Sequence, residues 1–400
     1  MSTERFGRDF HNNFDMLSPE FNTHYEDVLD DLIDTCPVAR SEVGDGYWVV
    51  TRYNDVADGL RNWSTFSSAE GVLVNRPSFE DMPALLPTEM DPPDHTIWRQ
   101  AMSQYLTAAR VAKFAPEIDR VGNLLIDQFI DEGRCDFAHA YSKDLPGRVF
   151  FTEVLGTPVA DMPYLQKAMD EYIVEYGETQ AAAYKRVTDY IHDYLDARTK
   201  EKPRGDVVDA ILGVRTYTDG SEVPFEDKVG VTSVLLSGGL ETAANVISGA
   251  VHHLATHPAD LLRIAENPEL LPLATEEILR VYASTFAISR TAMEDVELHG
   301  CPIKKGDMVM FSVGGSSRDP RQFPDRRTAK IDREDNRHII FGTGPHRCIG
   351  SHLARIELRM SLDLVTRRLR DIALDGPVVM KTSIIRVCEH LPITFTAAAS

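Results

Sequence analysis

The sequence predicts a mostly α-helical protein with a few small β-sheets. Apolar residues recur at spacings of three and four over 108–131, 163–200 and Phe225–Thr256, which is typical of amphipathic or buried helices. Strand-like clusters of β-branched and aromatic residues are short, and they occupy 47–53, Val296–Leu298, Met308–Phe311 and 393–395. No linker or repeat divides the chain, so we expect one domain over 1–400.

The predicted elements have local signals in chain order. The strand at 47–53 leads into a helical stretch at 54–63. The run Asp91, Pro92, Pro93, Asp94 marks the start of a second helix. The segment Phe225–Thr256 should form a helix about 48 Å long, enough to cross the molecule. A last helical pattern begins after Gly350.

Composition excludes several classes of protein. With 43% hydrophobic and 26% charged residues, the chain should fold as an ordered globule. A net charge of −20 disfavours nucleic acid as a partner. Five scattered cysteines do not suggest a disulfide framework. No apolar run approaches the roughly eighteen residues of a membrane span, and the first nine residues lack a signal sequence, so we expect a cytoplasmic protein without a membrane partner.

The segment 341–350 (FGTGPHRCIG) surrounds Cys348 with glycines. Gly342, Gly344 and Gly350 permit a tight loop that brings backbone amides near sulfur, and the helix after Gly350 favours an anionic thiolate by lowering its pKa. A single thiolate does not suit zinc or an iron–sulfur cluster, whereas haem iron needs only one such ligand. A buried cysteine beside a glycine turn is the plainer alternative.

The same segment is similar to the haem-binding signature of the cytochrome P450 family, Phe-Gly-x-Gly-x-His-x-Cys-x-Gly, through Phe341, Gly342, Gly344, His346, Cys348 and Gly350. The resemblance runs from about 46 to 395 and is greatest to soluble bacterial members, of the camphor-monooxygenase type. It implies the cytochrome P450 fold, haem b (iron protoporphyrin IX) as cofactor, and Cys348 as the iron ligand.

Glu277 and Arg280 form an E-x-x-R pair on one helical face, where side chains three residues apart meet. Alone, such a pair is usually a solvated surface ion pair. In the family an arginine nearer the cysteine loop joins it, and Arg333 resembles that position, with Arg326, Arg327 and Arg337 as alternatives. The cluster would hold the helix against the cysteine loop.

Haem carries two propionates, so the resemblance implies cationic groups that converge on them. His95 and Arg99 lie four residues apart on one predicted helical face, and Arg290 and His346 also match propionate-binding positions of the family. Each of the four is otherwise an ordinary surface residue.

Gly238 and Gly239 interrupt the long helix, followed by Leu240, Glu241 and Thr242. Adjacent glycines permit a kink or a close helix contact. The resemblance instead assigns this segment to an oxygen-binding groove, in which Glu241 and Thr242 are the catalytic acid and alcohol that relay protons. Family members usually have aspartate at the position of Glu241.

The resemblance implies a monooxygenase that hydroxylates a small hydrophobic substrate, with a terpenoid as the first candidate. Matching positions predict ten substrate contacts: Leu85, Leu86, Thr88, Val234, Ser237, Gly238, Phe286, Ala287, Ile384 and Ile385. Core packing would select the same residue types.

The chain has no dinucleotide fingerprint and no flavin-like domain, so electrons should come from an iron–sulfur ferredoxin and its NAD(P)H-dependent reductase. A basic patch for that donor would comprise Arg110, Lys113, Arg347, Arg355 and Arg359, although solvated helix faces explain these residues equally well. Two alternatives remain: a haem-thiolate enzyme that uses peroxide or catalyses a non-oxidative rearrangement, and a non-catalytic haem sensor.

Overall fold

The computed structural model describes residues 5–74, 84–175, 178–382 and 385–398. Its helices are α1 Pro19–Thr23, α2 Tyr25–Thr35, α3 Tyr53–Arg61, α4 Asp94–Ser103, α5 Ala108–Val111, α6 Ala115–Asp127, α7 Asp144–Val149, α8 Met162–Val174, α9 Glu178–Thr199, α10 Val207–Gly213, α11 Phe225–Thr256, α12 Pro258–Glu266, α13 Leu271–Val281, α14 Val313–Ser316 and α15 Ser351–Arg368. Turns of 3₁₀-helix lie at Ala112–Phe114, Ile130–Glu132, Val159–Asp161 and Pro268–Leu270, and π-helical turns at Ala138–Ser142 and Phe150–Leu155.

The strands are β1 Val38–Ser41, β2 Tyr47–Val50, β3 Phe66–Ser67, β4 Arg134–Asp136, β5 Ile288–Ala292, β6 Val296–Leu298, β7 Cys301–Ile303, β8 Met308–Phe311, β9 Leu369–Leu374, β10 Val379–Thr382, β11 Arg386–His390 and β12 Pro392–Ala397. They form a five-stranded sheet in the order β1-β2-β8-β5-β3, a three-stranded sheet in the order β4-β12-β9, and the pairs β6-β7 and β10-β11. Only β2 and β8 pair in parallel among the described strands.

Helix α11 is the centre of the main core. It packs against α7, α9 and α15, and most of its side chains are buried. Among the described residues, α11 is also the one helix with the length and apolar composition of a membrane span, although most of that apolar window is buried inside the protein. A separate aromatic cluster joins Phe10, Phe14, Phe21 and Tyr25 to Phe286 below the five-stranded sheet.

The predicted fold class is confirmed: the protein is mostly helical with small sheets. The predicted bounds of Phe225–Thr256, Val296–Leu298 and Met308–Phe311 agree with the observed ones. The segment 108–131 is divided into α5 and α6 by the 3₁₀ turn Ala112–Phe114, and Pro116 lies in the first turn of α6, where its missing amide hydrogen costs nothing. The segment 163–200 forms two helices, α8 and α9. Strands β1, β3 and β4 have two to four residues, too few to show an alternating pattern.

Candidate active site

A cavity of about 320 Å³ separates α11 from the loop that carries Cys348. Helix α4, the end of α13 and the start of α15 close its sides. Aliphatic and aromatic side chains dominate the wall: Met102, Leu106, Phe150, Val231, Val234, Leu235, Val246, Leu279, Ile288, Ile340, Phe341, Ile349 and Leu353. A mostly apolar wall with a few convergent polar groups is typical of a small-molecule site.

The cysteine loop folds as its glycines predict. Gly342 and Gly344 have φ angles of 67° and 73°, a conformation that other residues rarely adopt. A Cβ on Gly344 would lie 2.6 Å from the carbonyl oxygen of Leu60, so glycine is also required for the close approach to α3. The Cys348 amide donates to the Phe341 carbonyl at 2.8 Å, which closes the loop and turns the sulfur into the cavity.

The Cys348 thiol lies inside the protein, but it is exposed to the cavity. Burial raises its pKa, while the Gly350 amide and the charges of Arg99 and Arg347 act in the opposite direction. The Gly350 amide at the helix start thus lowers this pKa, as predicted, but desolvation exceeds its effect and the net shift for the thiol alone is upward. A metal ion that binds the sulfur would supply the charge that the thiolate needs.

Four basic side chains gather beside the cysteine loop, as predicted. His95 and Arg99 come from α4, Arg290 from β5 and His346 from the loop, and the rings of His95 and His346 are 4.1 Å apart. Burial lowers the pKa of His95 to about 4, of His346 to about 2 and of Arg290 to about 10. His95, Arg99 and His346 line the cavity, whereas Arg290 lies behind them.

Among the described residues, no carboxylate forms a direct ion pair with this basic cluster; the Asp91 carboxylate favours the charged forms of His95 and Arg290, but burial outweighs it. Arg290 donates to the Ser289 carbonyl, and the Arg99 guanidinium donates to the Arg347 carbonyl. Buried cations without counter-ions are costly unless a ligand supplies the negative charge. A cavity with a thiol on its floor and an incompletely compensated basic edge fits a haem, whose two propionates would lie at that edge and whose iron would bind the sulfur.

Glu277, Arg280 and Arg333 meet in one buried cluster. Arg280 makes two bonds to the Glu277 carboxylate, at 2.9 and 2.8 Å, and Arg333 donates to Glu277 at 2.9 Å. The alternatives to Arg333 are engaged elsewhere: Arg326 pairs with Asp34, Arg327 with Asp27 and Asp30, and Arg337 with Asp335. The cluster pins α13 to the segment before the cysteine loop, through the Lys330 amide and Asn336.

The glycine pair of α11 performs two different tasks. A Cβ on Gly239 would lie 2.5 Å from the Phe150 ring, so this glycine permits close packing. A Cβ on Gly238 would meet no described atom within 4 Å, because this glycine faces the cavity. The Thr242 hydroxyl also lines the cavity and donates to the Gly238 carbonyl at 2.9 Å. The helix continues through both glycines without a break.

Glu241 faces away from the main cavity. Adjacent residues on a helix point about 100° apart, so Glu241 and Thr242 open to different sides of α11. Glu241 lines a second cavity of about 200 Å³, the rear cavity, with Lys143, Asp170, Glu171, Ile173, Glu175, Lys381, Val387 and Glu389. Burial and the neighbouring Asp170 carboxylate raise the pKa of Glu241 well above its usual range, which favours the protonated form. The expected acid therefore does not share a cavity with the expected alcohol.

Comparison with known proteins identifies the family. Residues 151–371 match the family model described as Cytochrome P450. The chain is 30% identical to 6-deoxyerythronolide B hydroxylase of Saccharopolyspora erythraea, over 95% of this chain and 98% of that protein. The chain is a member of the cytochrome P450 family. It is also 33% identical to mycinamicin IV hydroxylase/epoxidase of Micromonospora griseorubida (87% and 88% covered) and 31% identical to steroid C26-monooxygenase of Mycolicibacterium smegmatis (91% and 90% covered).

Solved cytochrome P450 structures have the same fold. The bacillaene polyketide synthase cytochrome P450 PksS of Bacillus subtilis superposes with a TM-score of 0.85 at 26% identity, over 96% of this chain and 100% of that one. Cytochrome P450 CYP109Q5 from Chondromyces apiculatus has the same TM-score and identity, over 98% and 100%. The protein is therefore a cytochrome P450 monooxygenase with haem b as its cofactor.

Of the nine predicted substrate contacts that lie among the described residues, three, Thr88, Val234 and Gly238, are on the wall of this P450 cavity. Leu85 and Leu86 pack into the core, and Leu86 lies under Gly230 of α11. The Ser237 hydroxyl turns back to the Val234 carbonyl. Ile385 is buried outside the wall, and Ile384 lies outside the described residues.

Phe286 and Ala287 are also misplaced by sequence matching. Phe286 is fully buried in the aromatic cluster, with its ring centroid 5.2 Å from that of Phe21, and Ala287 packs against the same cluster. The residues just before and after them, Ala283, Ser284, Thr285 and Ile288, line the cavity instead. In extended chain, successive side chains point to opposite sides, so a shift of one residue exchanges a cavity residue for a core residue.

Other cavity residues were not predicted. Val231, Leu235 and Val246 share the helical face of Gly238 and Thr242, and counting threes and fours from Thr242 would have found them. Phe150 and Met102 carry no comparable signal. Glu357 of α15 also lines the cavity, with one carboxyl oxygen that has no partner among the described residues, and burial raises its pKa to about 8. Gly342 shapes the loop but does not line the cavity.

Proposed function

We propose that the protein hydroxylates a neutral hydrophobic molecule of terpenoid type, with electrons from an iron–sulfur ferredoxin and its NAD(P)H-dependent reductase. One observation supports the substrate class: the ionisable side chains on the cavity wall, His95, Arg99, His346, Cys348 and Glu357, all belong to the cysteine loop, to α15 or to the basic edge. The rest of the wall offers hydrocarbon and a few hydroxyl groups, so a carboxylate on the substrate would be buried without a partner. The relatives named mycinamicin IV hydroxylase/epoxidase and steroid C26-monooxygenase support oxidation of an organic substrate of this general kind.

Cys348 would hold the haem iron, and His95, Arg99, Arg290 and His346 would neutralise the propionates. When bound, the haem iron activates dioxygen, of which one atom enters the substrate and the other leaves as water. The loop from Phe341 to Gly350, closed by the hydrogen bond from the Cys348 amide to the Phe341 carbonyl, would shield the iron-bound sulfur from bulk water. The apolar wall holds the substrate between this loop and α11.

Thr242 and Glu241 would deliver protons from opposite sides of α11. Glu241 takes up protons in the rear cavity, where Lys143 lies 3.4 Å from Asp170. Its long side chain can rotate towards the Thr242 hydroxyl, which faces the substrate. The extra methylene of glutamate, relative to the aspartate usual in the family, lengthens this reach.

The electron donor would bind on the side of the cysteine loop. Arg110, Lys113, Arg347 and Arg359 are exposed there, whereas Arg355 is held by a two-pronged bond to Glu276. Exposed cations on a chain of net charge −20 make a local positive surface that attracts an acidic ferredoxin. The protein would work in the cytoplasm, as its soluble relatives suggest.

The substrate class is tested by titrating the ferric haem protein with terpenoids, steroids, macrolides, fatty acids and aromatic acids. Neutral terpenoids should displace the water on iron and shift the Soret band to the high-spin position, while acids should not. A response to acids alone would overturn the proposal, and a response to macrolides or steroids alone would replace terpenoids as the class.

The electron route is tested with a ferredoxin, its reductase and NADH. Arg359→Glu and Lys113→Glu should each raise the KM for ferredoxin several-fold at low salt while leaving the substrate-induced spin shift unchanged. Lys305→Glu, on the β7–β8 turn, is the matched control. Product formation with peroxide and none with ferredoxin would favour the peroxide-using alternative.

A further inference from the structure

A group of metal-ligating side chains lies on the surface, apart from both cavities. Asp136 ends β4, His139 lies in the π-helical turn Ala138–Ser142, and His390 ends β11. One ligand atom from each residue lies within 4.8 Å of the others. The His390 Nδ1 atom is 2.6 Å from Asp136 Oδ2, and the two imidazole rings have centroids 5.2 Å apart.

The surrounding sheet fixes the carboxylate. Pro392 of β12 pairs with Asp136 of β4, and the Leu391 amide donates to Asp136 Oδ1 at 2.9 Å. The Phe137 amide returns a bond to the Leu391 carbonyl at 2.9 Å. One carboxylate oxygen is thus held by the backbone, and the other points to the imidazoles. Burial acts to raise the pKa of Asp136, but the Leu391 amide and His390 outweigh it and keep the group ionised.

An ordinary ion pair between Asp136 and His390 would explain why these two side chains lie together. It does not require His139, whose exposed ring makes no hydrogen bond among the described residues but turns to His390. Two imidazoles and one carboxylate form a ligand set that suits zinc, nickel or cobalt, and not the all-oxygen preference of magnesium or calcium. The exposed side of the group leaves room for water to complete the coordination.

We propose that Asp136, His139 and His390 bind one divalent transition-metal ion, zinc in the first place. The ion ties β4 to the end of β11, two segments more than 250 residues apart in the sequence that belong to different sheets. Strand β11 is anchored on α11, where the Cys388 amide donates to Asn245 Oδ1 at 2.8 Å. The bound metal therefore stabilises the C-terminal strands against the helix core.

The test is calorimetric titration of the haem-loaded full chain with zinc chloride, after treatment with a chelator. We expect one saturable site per chain. His139→Ala and His390→Ala should each weaken zinc binding by at least about tenfold. His192→Ala is the matched control, because His192 is exposed beside Asp193 and belongs to no cluster of metal ligands among the described residues, so its loss should leave the affinity unchanged.

A second measurement separates loss of the site from loss of the fold. The ferrous carbon monoxide spectrum of each variant should match that of the wild type, since the group lies outside the haem cavity. Tag-free wild-type protein should also be retained on a nickel-chelating resin, and His139→Ala should elute early. No saturable zinc binding by the wild type, or equal affinity in His139→Ala and His390→Ala to that of the wild type, would overturn the proposal.

Discussion

Two buried clusters of charged side chains differ in how completely they are paired. In the Glu277 cluster, both arginines and the carboxylate satisfy one another, and backbone carbonyls take the remaining donors. In the basic edge of the main cavity, Arg290 and its neighbours have no ion-paired carboxylate among the described residues. Removing one member of a complete cluster destabilises the fold because it leaves a buried charge unpaired, whereas an incomplete cluster can take the missing charge from a ligand.

The largest effect is expected from breaking the complete cluster. Glu277→Gln removes the carboxylate to which Arg280 and Arg333 both donate, and leaves two neighbouring cations without their shared counter-ion. We expect a loss of about 3–5 kcal/mol in the free energy of unfolding, measured by denaturant titration. Glu297→Gln, an exposed residue of β6, is the control and should change stability by less than about 0.5 kcal/mol.

The second prediction compares two arginines of similar burial. Arg280→Met should strongly destabilise the haem-free protein, because it leaves Glu277 less satisfied. Arg290→Met should leave the haem-free protein as stable or make it more stable by about 1 kcal/mol, since a desolvated charge disappears. It should also weaken haem binding by roughly 10- to 100-fold, through the loss of a charge-assisted contact. Equal destabilisation by both changes would contradict the distinction between the clusters.

The sequence indicated both clusters but could not tell them apart. The spacing of Glu277 and Arg280 predicted their contact, and the resemblance suggested His95, Arg99, Arg290 and His346. The pairing that decides their roles depends on Arg333 and on backbone carbonyls from distant segments, which no local pattern reveals. The periodicity of apolar residues was enough to predict the fold class, but it did not predict the direction in which individual side chains point.

Substrate contacts and the direction of Glu241 show the same limit. A one-residue shift at Phe286, or a 100° rotation between Glu241 and Thr242, changes which cavity a side chain enters. Periodicity predicts the helix or strand, but it does not predict which cavity a given side chain enters. Counting along the face of Thr242 recovers Leu235 and Val231, because a long regular helix keeps its register.

A smaller effect is expected from the pH dependence of the basic edge. Burial holds the pKa of His95 near 4, below the ordinary value of about 6.5, so the unfolded chain binds more protons between these limits. The free energy of unfolding of the haem-free protein should therefore decrease as pH falls from about 6.5 to about 4. His95→Gln should reduce the slope of this decrease by the uptake of up to about one proton on unfolding. In the haem-loaded protein the propionates favour the charged imidazole, and the difference between wild type and variant should shrink. An equal difference in both forms would show that His95 does not face the propionates.

The charge pairing of Glu241 is intermediate between those of the two clusters, because Asp170 repels its ionised form and Lys143 attracts it. If Glu241 supplies protons while it is protonated, product formation should fall as pH rises through its raised pKa. Asp170→Asn removes the repelling charge and lowers the pKa of Glu241, so the decline should begin at lower pH, by about one unit or less. Glu241→Gln should abolish the decline and reduce the rate by about 10²-fold or more, because the amide cannot release a proton. Glu175→Gln, at the exposed end of the rear cavity, is the control. An unchanged decline in Asp170→Asn would assign the titration to another group, and would place Glu241 with the residues that serve the fold.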